Sequence, residues 1–180
     1  MKKTLKEFLE KNHACKDGFD FAKDLTLEEF LNTCQRGDWI LWLFARINQN
    51  SLRELTLAKG HCANTVRELM KDERSTKAVD VAIAFGENRA TLKELKAACA
   101  NAAARAYAAD AADAYADANA AYAAYAADDD AAAAAGAYAA AAGAYAAAVD
   151  AATAKKQNQK LTADICRKYL PLEIWNQNLI

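Results

Sequence analysis

Proline is nearly missing from this chain of 180 residues: Pro171 is the only one, and glycine is scarce at six. With so few of the residues that punctuate regular structure, little interrupts a helix. Alternating runs of β-branched residues, the mark of a half-buried strand, are also lacking. So are the signatures of common chemistries: no phosphate loop, no Gly-x-Ser-x-Gly, no His-Glu-x-x-His and no paired-cysteine zinc pattern. Only two histidines occur, His13 and His61. His61 and Cys62 are adjacent, so on a helix they diverge by about 100° and do not readily share a metal. Asp128-Asp129-Asp130 lacks the alternating ligands and the glycine of a calcium loop. These absences point to a non-enzymatic chain without catalytic residues, metal or cofactor.

Bulk charge is lacking too. The net charge of −1 supplies no general attraction to nucleic acid or to a membrane surface. Direct nucleic-acid binding is therefore not expected. The five cysteines (Cys15, Cys34, Cys62, Cys99, Cys166) are odd in number and form no C-x-x-C pair. Met1-Lys2-Lys3-Thr4 leads into a charged amphipathic stretch and not an apolar signal core. Both features fit free thiols in a reducing cytoplasm. Residues 131–149 are uncharged and long enough to span a bilayer, but they consist of Ala, Gly and Tyr with a single strongly apolar aliphatic, Val149. Alanine is close to neutral for insertion, so no membrane segment is expected.

Helix signals recur throughout, and the fold class they predict is all-α. Thr4 to Glu7 can open a first short helix with Phe8 and Leu9 on its apolar side. Thr26-x-x-Glu29 reads as a capping box, with Gly37 ending that helix. Asp38 then caps Trp39 to Ile47, a run apolar almost all round and so the expected central helix. Ser51-x-x-Glu54 opens a helix carrying Leu52, Leu55, Cys62, Val66 and Leu69 on one side. Ser75 can cap the Val79–Phe85 segment, ended by Gly86; Thr91-x-x-Glu94 is a further capping box; Thr162 to Leu170 is a short helix closed by Pro171. The expected organisation is one helical domain over 1–180: a compact bundle of short helices over 1–96, an Ala/Tyr-rich antiparallel helical hairpin over 97–156, and a C-terminal helix and tail over 161–180.

The hairpin segment holds 37 Ala in the 58 residues from Ala97 to Ala154, so helix is nearly forced. Residues 106–154 carry seven Asp and no Lys, Arg or Glu, leaving the rest of the chain mildly basic. Asp110, Asp113 and Asp117 fall on one helical face, with Tyr107, Tyr115, Tyr122 and Tyr125 on a neighbouring stripe. Asp128 to Asp130 reads as the turn. Gly136-Ala137-Tyr138 and Gly143-Ala144-Tyr145 recur seven residues apart, putting the glycines on one side and the tyrosines on another. Such a hairpin is a packing layer or arm, a partner-binding face (Asp110, Asp113, Asp117 with Tyr107, Tyr115, Tyr122), or a self-association surface through its Ala/Gly faces. A second constellation lies on the central helix. Trp39, Trp42 and Arg46, at i, i+3 and i+7, share one side and could hold a carboxylate, phosphate or nucleobase, with His61, Lys59 and Arg67 as companions. The alternative is that both indoles belong to the core and Arg46 pairs internally.

Asp38-Trp39-Ile40-Leu41-Trp42-Leu43-Phe44-Ala45-Arg46 resembles the immunity-protein-five-like family of bacterial toxin loci and phage genomes. The likeness continues through Leu57–Ala63, Ala78–Phe85 and Ala90–Ala98. Members run on into an Ala/Tyr-rich tract and end in a Cys-Ala-Asp-Ile-like helix before Tyr-x-Pro, here Ala163-Asp164-Ile165-Cys166-Arg167-Lys168-Tyr169-Leu170-Pro171. The resemblance covers about Leu27 to Pro171. Two departures stand out: the family's acidic residue beside the cysteine is missing at His61-Cys62, and the tract here is rich in Asp. The resemblance implies a small helical protein that acts by binding, and together with the acidic Asp/Tyr surface it leads to the expectation of an inhibitor that sequesters a toxin or defence component. A small-molecule binder or sponge for a nucleotide signal, and a self-assembling structural protein, are the alternatives.

Overall fold

The computed structural model describes residues 4–70, 73–106 and 151–176. Among them the protein is all-helical, with eight α-helices, two 3-10 turns and no strand. The helices are α1 (Lys6–Lys11), α2 (Lys16–Ala22), α3 (Leu27–Thr33), α4 (Gly37–Ile47), α5 (Leu52–Asn64), α6 (Glu73–Gly86), α7 (Leu92–Ala106) and α8 (Ala151–Tyr169). None of them is long and apolar enough to cross a membrane. The acidic face, the tyrosine stripe, the Asp128–Asp130 turn and the glycine repeat all lie outside the described residues, as does the expected hairpin over 107–150.

The capping boxes form as their spacing predicts. Glu29 N–H donates to Thr26 Oγ1 at 3.2 Å, while Thr26 N–H donates to the Glu29 carboxylate at 2.9 Å. Thr91 and Glu94 repeat the arrangement at 3.2 and 2.7 Å. Helix α5 ends at Asn64, so Val66 and Leu69 lie beyond it instead of on its apolar side, Leu69 in a separate 3-10 turn. Four further boundaries differ from the sequence reading. First, α3 ends at Thr33, and Gly37 opens α4 instead of closing α3. Second, Asp38 does not cap α4; it lies inside the first turn and turns back to Arg36. Third, Ser75 is a buried residue within α6 and not its cap. Fourth, the C-terminal helix is 19 residues long, because the polar stretch Lys155–Leu161 continues the Thr162–Leu170 pattern without a breaker. Helix α2 was not anticipated: it is only seven residues long and contains Gly18, so it has too few periodic positions to register.

Helix α4 is the centre of the larger core. Ile40, Leu41, Leu43, Phe44 and Ile47 are buried against Leu5, Leu9, Phe30, Leu55, Cys62, Cys166 and Leu170. Helix α8 packs on both α4 and α5. The Gly37–Thr162 contact explains the glycine: a Cβ at position 37 would stand 2.8 Å from the Thr162 carbonyl carbon. Arg167 ties α8 to the end of α3, donating to Leu31 O at 2.6 Å and also to Cys34 O. The tail then folds over the end of α4. Trp175 meets Phe44 edge-on at 4.9 Å, its indole N–H donates to Leu170 O, and Asn48 bonds Ile174 O and Asn176 N.

A second core joins α6 and α7 through small side chains: Ala78, Ala82 and Phe85 against Leu95, Ala98, Cys99 and Ala102. Alanine's thin profile lets these helices approach closely while each residue buries little area. Helix α5 reaches α6 the same way, through Gly60 on Ile83 and Gly86 on Leu57. Gly86 is the last helical residue, as expected, but the left-handed turn that follows is made by Asn88 at φ 61°. Gly86 itself is required because a Cβ there would lie 2.8 Å from Leu57 Cα.

In an unobstructed helix Gly→Ala is favourable by about 1 kcal/mol. At Gly37 the clash is with backbone, which cannot swing aside, and overpacking of that kind costs about 1–3 kcal/mol. Urea denaturation of Gly37→Ala is therefore expected to show a net loss of stability. Thr26→Ala is expected to lose about 1 kcal/mol by removing one capping box.

Candidate functional site

Small residues on one helix opposite rigid rings on another leave space that neither can fill. Gly18 and Ala22, at i and i+4 on α2, face the indole of Trp39 on α4. The result is a cavity of about 340 Å³, half open to solvent. Its lining includes the buried Leu9, Leu43 and Phe30, the half-buried Trp42 and Ala14, and, where it meets solvent, the exposed His13 and Cys15. His13 holds φ at 54°, the left-handed turn that brings the chain from α1 into α2.

The polar wall is Arg36 and Asp38. Arg36 Nε donates to Asp38 Oδ1 at 2.8 Å and Nη2 donates to Oδ2, a two-pronged pairing. The Asp38 side chain is only 7% exposed, and both of its oxygens accept from that fork. Hydrogen bonding to Asp38 raises the Arg36 pKa above its ordinary value, keeping it charged. The guanidinium also lies over the Trp39 ring, 4.5 Å from its centroid. On the other side Trp39 meets Phe21 at 5.7 Å, and Phe21 in turn meets Phe30 edge-on at 6.2 Å. Phe21 is 40% exposed, so an aromatic surface continues from the cavity onto the outside of α2.

Of the four residues the sequence grouped as a ligand pocket, Trp39 and Trp42 line this cavity and Arg46 and His61 do not. Arg46 is one turn further along α4, its guanidinium 5.6 Å from the Trp42 ring centroid. Its Nε is buried without a hydrogen bond among the described residues, so the internal acidic partner considered for it is not seen at that nitrogen among them. His61 stacks face to face on Tyr169 of α8 at 4.2 Å, and burial lowers its pKa. Arg67 is committed to Asp80 through two hydrogen bonds of 2.7 and 2.9 Å. The cation at the cavity is Arg36, which sequence reasoning missed. Its i, i+2 spacing to Asp38 and i, i+3 spacing to Trp39 were the available signal, obscured because Asp38 read as a helix cap.

The thiols fall into two classes. Cys15 is exposed at the cavity edge, whereas the other four are buried. Burial pushes Cys34 and Cys99 up to about 11 and raises Cys166 strongly, with Cys62 Sγ 3.8 Å away. Such thiols are poor nucleophiles. Lys59 is a different case. It is 4% exposed on the inner face of α5, and its ammonium finds no hydrogen bond among the described residues. Burial lowers its pKa to about 7. Compared with family models, curated proteins and solved structures, the chain matches none.

Lys59 gives a prediction with a definite sign. Its folded pKa, about 7, lies below the ordinary 10.5, so the unfolded chain binds more protons between them and stability rises with pH there. The raised Cys34 and Cys99 pKa values act oppositely, removing stability as pH climbs from 9.0 toward about 11. The clean window is therefore about pH 7–8.5. Lys59→Met is expected to abolish the upward slope in that window and to raise stability most at its lower end, read by urea unfolding at several pH values.

Proposed function

We propose that this chain acts by binding and not by catalysis, as an inhibitor of the immunity or phage counter-defence kind that sequesters a protein partner. The observation that carries this reading is the aromatic face of α2 and α4. Exposed Phe21 lies on Trp39, Trp39 carries Arg36, and a cavity opens beside them. Aromatic rings and arginine grouped around a concavity are the composition of interface anchors. The Trp/Arg segment Asp38–Arg46 is also the most specific block of the immunity-family resemblance. Asp110, Asp113 and Asp117 beside Tyr107, Tyr115 and Tyr122 offer a second surface at the level of sequence, with charge that complements a basic toxin or nuclease.

Affinity capture from the native host tests this reading. Wild type is expected to retain a specific protein. Trp39→Ala and Phe21→Ser are expected to weaken its capture by about thirtyfold, the effect of losing one anchor worth about 2 kcal/mol. Lys substitution at Asp110, Asp113 and Asp117 together reads the acidic surface separately. A partner retained equally by all of these variants removes the reading.

A further inference from the structure

We propose that the cavity between α1, α2 and α4 is a site for a small, uncharged aromatic molecule, one ring or a fused pair on the scale of phenol or indole. This inference rests on the reading that the chain works by binding at its aromatic face, and it names the chemistry that enters that face.

Size sets the first limit. At about 340 Å³ and half open, the cavity lies at the lower end of small-molecule pockets and has room for a ring or a fused pair, since about 150 Å³ holds benzene. The walls set the second. Two indoles and the Phe30 ring offer π faces and edges, and Leu9, Ala22 and Leu43 supply aliphatic contact.

Charge sets the third limit, and it is the most selective. Arg36 and Asp38 are the charged pair in the lining, and each satisfies the other through the two-pronged pairing. The fork spends Arg36 Nε and Nη2 on the two Asp38 oxygens, so an anion reaching the remaining Nη1 would meet a guanidinium already neutralised by the carboxylate beside it, and a cation could claim Asp38 only in competition with Arg36. The wall therefore presents a net-neutral pair to the ligand. His13 and Cys15 at the edge can meet one hydroxyl or ring N–H. The same reasoning disfavours the phosphate of a nucleotide signal.

A matched series on the full chain tests this: 4-fluorobenzyl alcohol, 4-fluorobenzoate and 4-fluorobenzylamine, followed by fluorine line broadening. The alcohol is expected to bind at least about tenfold more tightly than either charged analogue, and indole is expected to compete with it. Gly18→Leu projects a side chain between Cys15 Sγ, which a Cβ there would approach to 3.2 Å, and Trp39, and it is expected to abolish binding. A readout that does not depend on that variant folding is alkylation of wild-type Cys15 by iodoacetamide, since Cys15 is the exposed thiol. The alcohol is expected to slow it severalfold. Equal binding of all three compounds, preference for the benzoate, or Cys15 alkylation unchanged at saturating alcohol overturns the inference. Ring binding alongside partner capture that ignores Trp39→Ala upholds this inference and removes the aromatic face from the protein-partner reading. Partner capture that depends on Trp39 while no ring binds does the reverse.

Discussion

Helix α4 enters the core where Gly37 rests against the Thr162 backbone, and the rest of the larger core follows from that approach. With no side chain at position 37, α8 lies close enough to α4 for Cys166 to reach Gly37 O at 3.6 Å and Cys62 of α5 at 3.8 Å. Three helices thus meet at small residues, and the larger side chains of α4 (Ile40, Phe44, Ile47) fill the space on either side. Arg167 and Trp175 can then close the two ends of the same helix pair. Close-packed interiors transmit such constraints because a methyl-sized change has nowhere to relax.

The buried charges show how differently two sites can treat a cation. Arg36 and Asp38 are brought out of water together and satisfy each other with fixed geometry, which leaves a paired wall beside two indoles. Lys59 is brought out of water alone, and its response is a lowered pKa. The first arrangement lines the cavity with a charge pair that is neutral overall. The second costs stability across the neutral pH range, and the fold tolerates it because Leu55, Ala58, Cys62 and Ala63 on the neighbouring positions of α5 are all buried.

Much of the fold could be read from local pattern. The two Thr-x-x-Glu boxes, the apolar sweep of Trp39–Ile47 and the periodic small residues of Leu92–Ala102 each express interactions within a few residues, and each appears as an element. Helix α2 escaped because seven residues with a central glycine carry almost no period. Glycine misled at one position for a related reason. Gly37 reads locally as a helix terminator, whereas its role is set by a residue 125 positions later in the chain. Of the candidate pocket, Trp39 and Trp42 were legible from helical spacing, but Arg46 and His61 face elsewhere.

What the sequence determined alone is the helical class, the capping of α3 and α7, and the clustering of aromatic residues and arginine on one stripe of α4. These depend on contacts within about one helical turn or two, which the chain specifies before it folds. What only the tertiary structure decided is which of those side chains meet. The placement of Gly18 and Phe21 of α2 against Trp39 put the cavity beside Arg36 and not Arg46, with exposed Cys15 in its lining. The docking of α8 on α4 and α5 put Tyr169 against His61, and burial stranded Lys59 among apolar neighbours. Those outcomes depend on helix crossings set by small residues distant in sequence, which no local spacing records.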